Sequence, residues 1–176
     1  EAQVYIFLEY YILAEGAVWD RIFAVLRERA AQGVEVKIIF DDFGNLTRLS
    51  DATLQEIQAA GIEVTVFNPV HRYVNRIYFN YRDHRKIAVI DGVWAYTGGI
   101  NIAAENTRLP SIPPKRYIHD LHCRITGPAV AQLAMRFFRD WAYTTRRHLR
   151  ECAVPGDFPD LSAAGDTTLR IIDSGP

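Results

Sequence analysis

Apolar and polar residues follow two alternating spacings along the first part of the chain, and this alternation predicts strands separated by helices. Short apolar runs rich in branched and aromatic residues are typical of buried strands. They are 4–13, 34–40 and 62–67. The segments between them repeat apolar residues every three or four positions, as amphipathic helices do. They are 17–32 and 50–60. Gly33 and Gly61 suit helix ends, and Ser50 suits an N-cap.

The second part of the chain adds a predicted hairpin, a short strand and a long helix. Asp91-Gly92 lies between two apolar runs and favours a two-residue turn joining antiparallel strands. The flanking runs are 86–90 and 93–97. Residues 121–125 predict a further strand, and 128–150 carries apolar and aromatic residues along one helical face.

Strands and helices alternating at these lengths predict an α/β fold, with a mixed, mostly parallel sheet flanked by helices on both faces. The 176 residues suit a single domain over 1–176, and 155–167 predicts a linker toward a second unit of a longer parent. An apolar fraction of 49% excludes a disordered chain, and a net charge of -1 argues against a nucleic-acid coat. No apolar stretch reaches the roughly 18 residues that span a bilayer.

Residues that can carry chemistry gather around the predicted hairpin. In chain order they are His84, Lys86, Asp91, Gly98, Gly99 and Asn101. Because side chains alternate along a strand, His84 and Lys86 share a face, whereas Asp91 points away or into the turn. A two-residue turn sets Lys86 opposite Thr97 and His84 opposite Gly99, with Asn101 on the same face around a spot floored by glycine.

This set of residues suits phosphodiester chemistry, which requires no metal or cofactor here. A neutral imidazole at His84 can attack phosphorus, because histidine titrates near about pH 6.5. Lys86 and Asn101 can hold the non-bridging oxygens and oppose the charge that grows in the transition state. A carboxylate should orient the imidazole, and Asp120 is better placed for this than Asp91, which we expect to be structural.

Several residues leave alternatives open. Glu9 is an acid within an apolar strand, and it either neutralises Lys86 or an arginine, or lies at the edge of the sheet. Asp120 is either the orienting acid or an ordinary solvated one, and His122 is expected to be a satisfied core histidine. The segment 71–86 interleaves basic and aromatic residues, and it either receives anionic headgroups, stacks bases, or packs its aromatics inward as a loop.

The motif resembles the signature of the phospholipase D superfamily, and most of the chain is similar to bacterial cardiolipin synthases. The similar stretches are 9–11, 32–36, 60–64, 67–69, 84–101, Asp120-x-His122, 125–130 and 173–176. Ile118-His119 departs from this likeness, because Trp-Arg is expected before Asp120.

The resemblance implies a ping-pong transfer of a phosphatidyl group. One histidine becomes phosphatidyl-bound, and the histidine of a matching second motif protonates the leaving alcohol. In this reading Asp91 counts with His84 and Lys86 as catalytic. The supporting, phosphate-binding residues are Asn101, Gly98, Gly99, Asp120 and Glu9.

The resemblance also implies partners. They are an anionic phospholipid such as phosphatidylglycerol and a second catalytic half, in the same chain or in a homodimer, with no nucleic acid. The parent protein is then expected to be cytoplasmic and membrane-associated, and the chain as given a soluble domain. No other histidine here is followed by x-Lys, so the chain holds half a site and should have little activity alone.

Two rival functions stay open at this point. The first is a nuclease of the same superfamily, in which one motif per chain makes a homodimer. The second is a non-catalytic module that binds lipid or a protein partner. The presence of His84, Lys86 and Asn101 together favours an active site over a decayed one.

Overall fold

The computed structural model describes residues 2–70, 80–107, 118–152 and 167–172, and within these ranges the chain forms one six-stranded sheet. The strands are β1 (Tyr5–Tyr10), β2 (Glu35–Asp41), β3 (Glu63–Phe67), β4 (Lys86–Ile90), β5 (Trp94–Gly98) and β6 (His122–Ile125). The α-helices are α1 (Ala17–Ala31), α2 (Asp42–Asn45), α3 (Asp51–Ala59) and α4 (Ala129–Thr145). The 71–79 part of the basic and aromatic segment, the predicted linker apart from Thr167, and 173–176 lie outside the described residues.

The strand order is β3-β2-β1-β4-β5-β6. β1 pairs in parallel with β2, and β2 with β3, whereas β4, β5 and β6 continue the sheet through antiparallel pairs. The predicted α/β fold with a mixed sheet is therefore confirmed. Its parallel part is confined to the first three strands, since β4 runs antiparallel to β1. The tight turn after β4 then makes β5 antiparallel to β4.

Both faces of the sheet are covered, since side chains alternate along each strand. Ile6 and Leu8 of β1 pack toward α1 and α3, in a cluster that includes Trp19 and Ile57. Phe7 packs on the opposite face against α4. The α4 residues that complete this second cluster are Val130, Leu133, Ala134, Phe137, Phe138, Trp141 and Ala142. Helix α4 ends before the predicted 150, at a left-handed Arg146.

The hairpin between β4 and β5 forms as predicted, but its register differs from the prediction by one residue. Asp91 and Gly92 have φ angles of 52° and 67°, the left-handed values that a type I′ turn requires, and the Val93 N–H donates to Ile90 O at 3.0 Å. Val93 is nevertheless an extra residue, because Ile90 pairs with Trp94. Ile87, not Lys86, consequently lies opposite Thr97, and the expected alignment of His84 with Gly99 was wrong.

No helix among the described residues combines the length and the apolar character needed to cross a bilayer.

Candidate active site

His84 and Lys86 lie at the start of β4, where both approach the ring of Tyr11 just beyond β1. The Lys86 Nζ is 5.2 Å from the Tyr11 ring centroid, and the His84 ring centroid is 4.7 Å from it. The Tyr11 N–H donates to the carbonyl oxygen of Arg85 at 3.1 Å, which fixes the backbone of Tyr11 beside the motif. The imidazole and the ammonium therefore converge on one aromatic side chain.

The two motif residues differ sharply in burial. Lys86 is 3% exposed, and its Nζ donates to the carbonyl oxygen of His84 at 2.5 Å, whereas His84 is exposed. Burial lowers the pKa of Lys86 to about 8, against the opposing charges of Asp83, Asp120 and Asp41. Burial, then the positive charge of Lys86, lowers the pKa of His84 as well. Near neutral pH the site thus favours a neutral imidazole beside a cationic lysine.

Asp120 occupies the space over Gly99 that the sequence assigned to a ligand. A Cβ built at Gly99 would collide with both oxygens of the Asp120 carboxylate, and the Gly99 N–H donates to Leu121 O at 2.9 Å. Asp120 is exposed and its carboxylate accepts the Leu121 N–H at 2.8 Å. Glycine is required at position 99 because the Asp120 carboxylate packs against its backbone. In this position the negative charge of Asp120 partly offsets the lowering of the Lys86 pKa by burial.

Gly98 serves a similar close approach one residue earlier. Its φ is 153°, and a Cβ there would lie 2.7 Å from the Cα of His122 and would also collide with Leu121 O. His122 pairs with Gly98 in the sheet and is half-buried, and its Nδ1 has no hydrogen-bond partner among the described residues. The expectation of a satisfied core histidine is therefore wrong for this nitrogen.

Asp91 lies at the opposite end of β4 from Lys86. Its Oδ2 accepts the Gln3 N–H at 2.7 Å, and its Oδ1 accepts the N–H groups of Val4 and Tyr5 at 2.9 and 2.8 Å. The carboxylate thus holds the entrance to β1, so the structure does not bring Asp91 together with His84 and Lys86.

Asn101 is hydrogen-bonded to the segment that directly follows β1. Its Oδ1 accepts the Ile12 N–H at 3.1 Å, and the neighbouring Ile102 bridges to Leu13. Asn101 is half-buried, and its partner Ile12 directly follows Tyr11, whose ring the motif contacts. Because the oxygen of the amide is used by the backbone, the amide NH₂ is the group that can face a phosphate.

Two polar residues near the end of β2 support the site and were missed from the sequence. Asp41 Oδ2 accepts the Asp83 N–H at 2.9 Å, directly before His84. Asn45 donates to Tyr11 O at 2.8 Å and accepts the Leu13 N–H at 2.8 Å. Polar residues at the carboxyl end of a parallel strand are a general sign of a site in α/β proteins, and that sign was available here.

Glu9 is fully buried on the α4 face of the sheet. Of the alternatives left open, an arginine is its neighbour, since Arg85 Nη1 lies 3.8 Å from Glu9 Oε1. Its other neighbours are the carboxylates of Asp83 and Asp140. Glu9 therefore lies behind the motif and is neither a partner of Lys86 nor an edge residue.

A cavity of about 440 Å³ opens beside the motif. Its cationic lining residues are Arg85, Lys86, Arg136 and Arg170, and its apolar lining includes Ile87, Leu133 and Ile171. A cavity lined by both cationic and apolar residues suits an amphiphilic anion.

Comparison with known proteins identifies relatives over the whole chain. Residues 1–141 match the family model described as cardiolipin synthase, PLD-like domain. The chain is 34% identical over 176 residues to the major cardiolipin synthase ClsA of Bacillus subtilis, covering 100% of this chain and 36% of that protein. It is 39% identical over 178 residues to a cardiolipin synthase of Geobacillus thermodenitrificans, covering 100% and 34%. The chain thus spans about a third of the length of these relatives.

Solved structures share the fold at lower identity. Nuc from Salmonella typhimurium, described as a phospholipase D family member, superposes with a TM-score of 0.55 at 21% identity, covering 83% of this chain and 80% of that one. NucT from Helicobacter pylori gives a TM-score of 0.54 at 14% identity, covering 88% and 84%.

Proposed function

The chain belongs to the phospholipase D superfamily as a domain of the cardiolipin synthase type, and from that premise we propose that it is one catalytic half of a phosphatidyltransferase. The observation that carries the proposal is the pairing of an exposed His84 imidazole with the buried ammonium of Lys86 around the Tyr11 ring. A nucleophile that can reach a phosphodiester thus lies beside a fixed positive charge.

The proposed reaction begins with attack by a neutral His84 nitrogen on the phosphorus of a phospholipid. The bond from phosphorus to the headgroup oxygen breaks, and an acid protonates the leaving alcohol, which leaves a phosphatidyl-histidine. Lys86 and the Asn101 amide balance the charge on the non-bridging oxygens. The hydroxyl of a second lipid then gives up its proton to the same acid site and takes the phosphatidyl group, which restores His84.

We assign the acid in this scheme to a second half outside the chain. No other histidine stands in an H-x-K pattern, and His84 lies at an exposed surface where a second motif can meet it. Apolar side chains flank Asp120 on that surface, since Ile118 and Leu121 are 42% and 77% exposed. These features support a composite site, built with a second half that is either a tandem domain of the same protein or a second copy of this chain.

The proposed substrate is an anionic phospholipid such as phosphatidylglycerol. Lys86 supplies the positive charge for the phosphate, and the apolar lining of the neighbouring cavity, which includes Ile87, Leu133 and Ile171, suits the diacylglycerol part of such a lipid. A lipid substrate requires the parent protein to work at a membrane surface, so membrane association belongs to the same proposal.

The test is phosphatidyl transfer on phosphatidylglycerol vesicles by the protein as encoded, with His84→Ala beside the unchanged protein. We expect cardiolipin and glycerol from the unchanged protein and a loss of at least about 10³-fold in His84→Ala, because the nucleophile is gone. His148→Ala is the matched control, since His148 is exposed and lies past the end of α4, and it should keep full activity.

Other outcomes point to the rival functions. Cleavage of DNA without lipid transfer, lost in His84→Ala, would favour a nuclease of the same superfamily. Binding of vesicles with neither reaction would favour a non-catalytic lipid-binding module.

A further inference from the structure

Five charged side chains, three buried carboxylates and two partly exposed guanidinium groups, cluster on the α4 face of the sheet, directly behind His84. They are Glu9, Asp83, Arg85, Arg136 and Asp140. Glu9, Asp83 and Asp140 are 0%, 1% and 3% exposed, and one carboxylate oxygen from each lies within 4.8 Å of the others. Fully ionised, the group has three negative charges against two guanidinium groups.

The hydrogen bonds of this cluster are shared unequally among the acids. Asp140 Oδ2 accepts from Arg85 Nη1 at 3.3 Å and from Arg136 Nε at 2.8 Å, and Asp140 Oδ1 accepts from Arg136 Nη2. Asp83 Oδ1 accepts from the backbone N–H and Nη1 of Arg85 at 3.0 and 3.1 Å. Within the described parts of the chain, Asp83 Oδ2 and both oxygens of Glu9 have no hydrogen-bond partner.

We propose that Glu9 is a neutral carboxylic acid in the folded protein and donates its proton to Asp83 Oδ2. This proton gives a hydrogen-bond partner to Asp83 Oδ2 and to one Glu9 oxygen, and it reduces the three negative charges to two, which Arg85 and Arg136 balance. A buried, charged carboxylate without a hydrogen-bond donor has a high free energy, so protonation of Glu9 is the more favourable state.

Charge and burial around Glu9 support this assignment. Burial, and then the negative charges of Asp83 and Asp140, raise the pKa of Glu9 well above its usual value. The two guanidinium groups make the cluster a poor place for a divalent cation, which they would repel. The other charged residues on this face of β2 have partners of their own. Asp41 accepts the Asp83 N–H, and Lys37 forms ion pairs with Glu35 and Glu63.

The proton matters for the site because Asp83 directly precedes His84. Hydrogen bonds to three residues hold Asp83. Its N–H donates to Asp41, its Oδ1 accepts from Arg85, and on this proposal its Oδ2 accepts from Glu9. Ionised Glu9 would repel Asp83 and displace the segment that holds the imidazole. Glu9 is thus a positioning residue. Its effect on catalysis rests on the proposed function, whereas its protonation does not.

Glu9→Gln tests the assignment, because glutamine keeps a donor for Asp83 Oδ2 but cannot ionise. A raised pKa means that the folded state holds a proton that the unfolded state loses above about pH 4.3. The stability of the unchanged protein should therefore fall as pH rises from there toward the raised pKa, while Glu9→Gln lacks this loss. We expect the Tm difference in favour of Glu9→Gln to grow by about 3 °C per pH unit in that window.

Glu35→Gln is the matched control, since Glu35 lies on β2 and its carboxylate is paired with Lys37. Its Tm should follow the pH dependence of the unchanged protein. Infrared difference spectra of the unchanged protein minus Glu9→Gln at pH 7 should show the carbonyl band of a protonated carboxylic acid. If Glu9→Gln does not fold, the presence of that band in the unchanged protein decides the question.

A constant Tm difference without the band would overturn the proposal, because Glu9 would then be ionised. A Tm that falls on addition of a chelator in the unchanged protein, but not in Glu9→Gln, would assign a divalent cation instead. Failure of the lipid-transfer assay with the band present would reject the proposed function and leave the protonation of Glu9 standing.

Discussion

At the scale of the residue, the properties of Lys86 come from its surroundings more than from its place in a motif. The side chain is almost fully buried, lies over the Tyr11 ring and donates to the carbonyl of His84. Desolvation lowers the pKa of Lys86 to about 8. Lys86 is therefore charged at neutral pH, but it loses its proton at mildly alkaline pH values at which enzymes can still be assayed.

The first prediction concerns the alkaline side of the pH profile. Lys86 is cationic below its pKa, so transfer should hold up to about pH 8 and then fall toward tenfold per pH unit, as the charge that we propose to face the phosphate disappears. Lys86→Arg should move this fall to higher pH at a lower maximal rate, because guanidinium keeps its charge but not the shape of lysine. The measurement is kcat/KM from pH 6 to 10.

Lys37→Arg provides the comparison for that experiment. Lys37 is also buried in the sheet, but its Nζ pairs with Glu35, and with Glu63 at 2.7 Å, away from the motif. Its pH profile should match that of the unchanged protein. An unchanged alkaline limb in Lys86→Arg would show that another group controls the fall.

The residues of the motif could be found from the sequence, but their neighbours could not. The spacing of His84, Lys86 and Asn101 is visible along the chain, whereas the contacts of Tyr11 and Asp83 join residues far apart in sequence. For Asp120, likewise, the residue could be found from the sequence but its contacts could not. Its assignment near the motif came from local pattern, but its position on Gly99 depends on the pairing of β5 with β6.

At the scale of the element, the β4–β5 hairpin shows what a local signal can predict. Asp91-Gly92 correctly indicated a turn with left-handed residues. It did not indicate the extra Val93, because the register of the hairpin is also set by the neighbouring strands. β4 pairs with β1 and β5 pairs with β6, so the register of the hairpin must be compatible with both of these pairings.

The second prediction separates the structural role of Asp91 from a catalytic one. Asp91→Ala removes three accepted backbone hydrogen bonds and places alanine at a φ of 52°, so it should cost about 2–4 kcal/mol of stability. The kcat of the folded fraction should change by less than about threefold, since the carboxylate lies at the far end of β4 from Lys86. Thermal unfolding and transfer assays below the lowered Tm measure the two effects.

Asp91→Asn should recover part of the lost stability, because asparagine tolerates the left-handed conformation and keeps one acceptor oxygen. Asp51→Ala, at an exposed aspartate in the first turn of α3, controls for the loss of an acidic side chain. If Asp91→Ala abolished turnover while its Tm stayed near that of the unchanged protein, Asp91 would belong to the chemistry after all.

At the scale of the whole molecule, the sheet divides into a parallel part and an antiparallel part that meet at β1 and β4. The sequence predicted the α/β class and the helices on both faces, since periodicity reports the burial of each element. It overstated the parallel pairing, because strand order and direction depend on connections that no single segment encodes. The motif lies where the two parts meet, just beyond the end of β1 and at the start of β4.

The last prediction follows from the exposure of His84 at that junction. On the proposed function the chain supplies the nucleophile His84 and the cation Lys86, while the acid that protonates the leaving alcohol belongs to a second half. Such an acid contributes about 10²–10⁴-fold to the rate. The isolated chain, kept monomeric, should therefore transfer phosphatidyl groups at least about 10²-fold more slowly than the protein as encoded. Circular dichroism must first show that the isolated chain is folded.

Concentration dependence then distinguishes the two sources of a second half. If two copies of this chain can complete a site, turnover per chain should rise in proportion to chain concentration below the dimer Kd, in step with the dimer fraction seen by sedimentation. If the second half is a tandem domain, turnover should stay low at every concentration and should recover only when that domain is supplied. Full turnover by a folded monomer at low concentration would contradict both, because His84 would then have to find its acid among the residues of this chain.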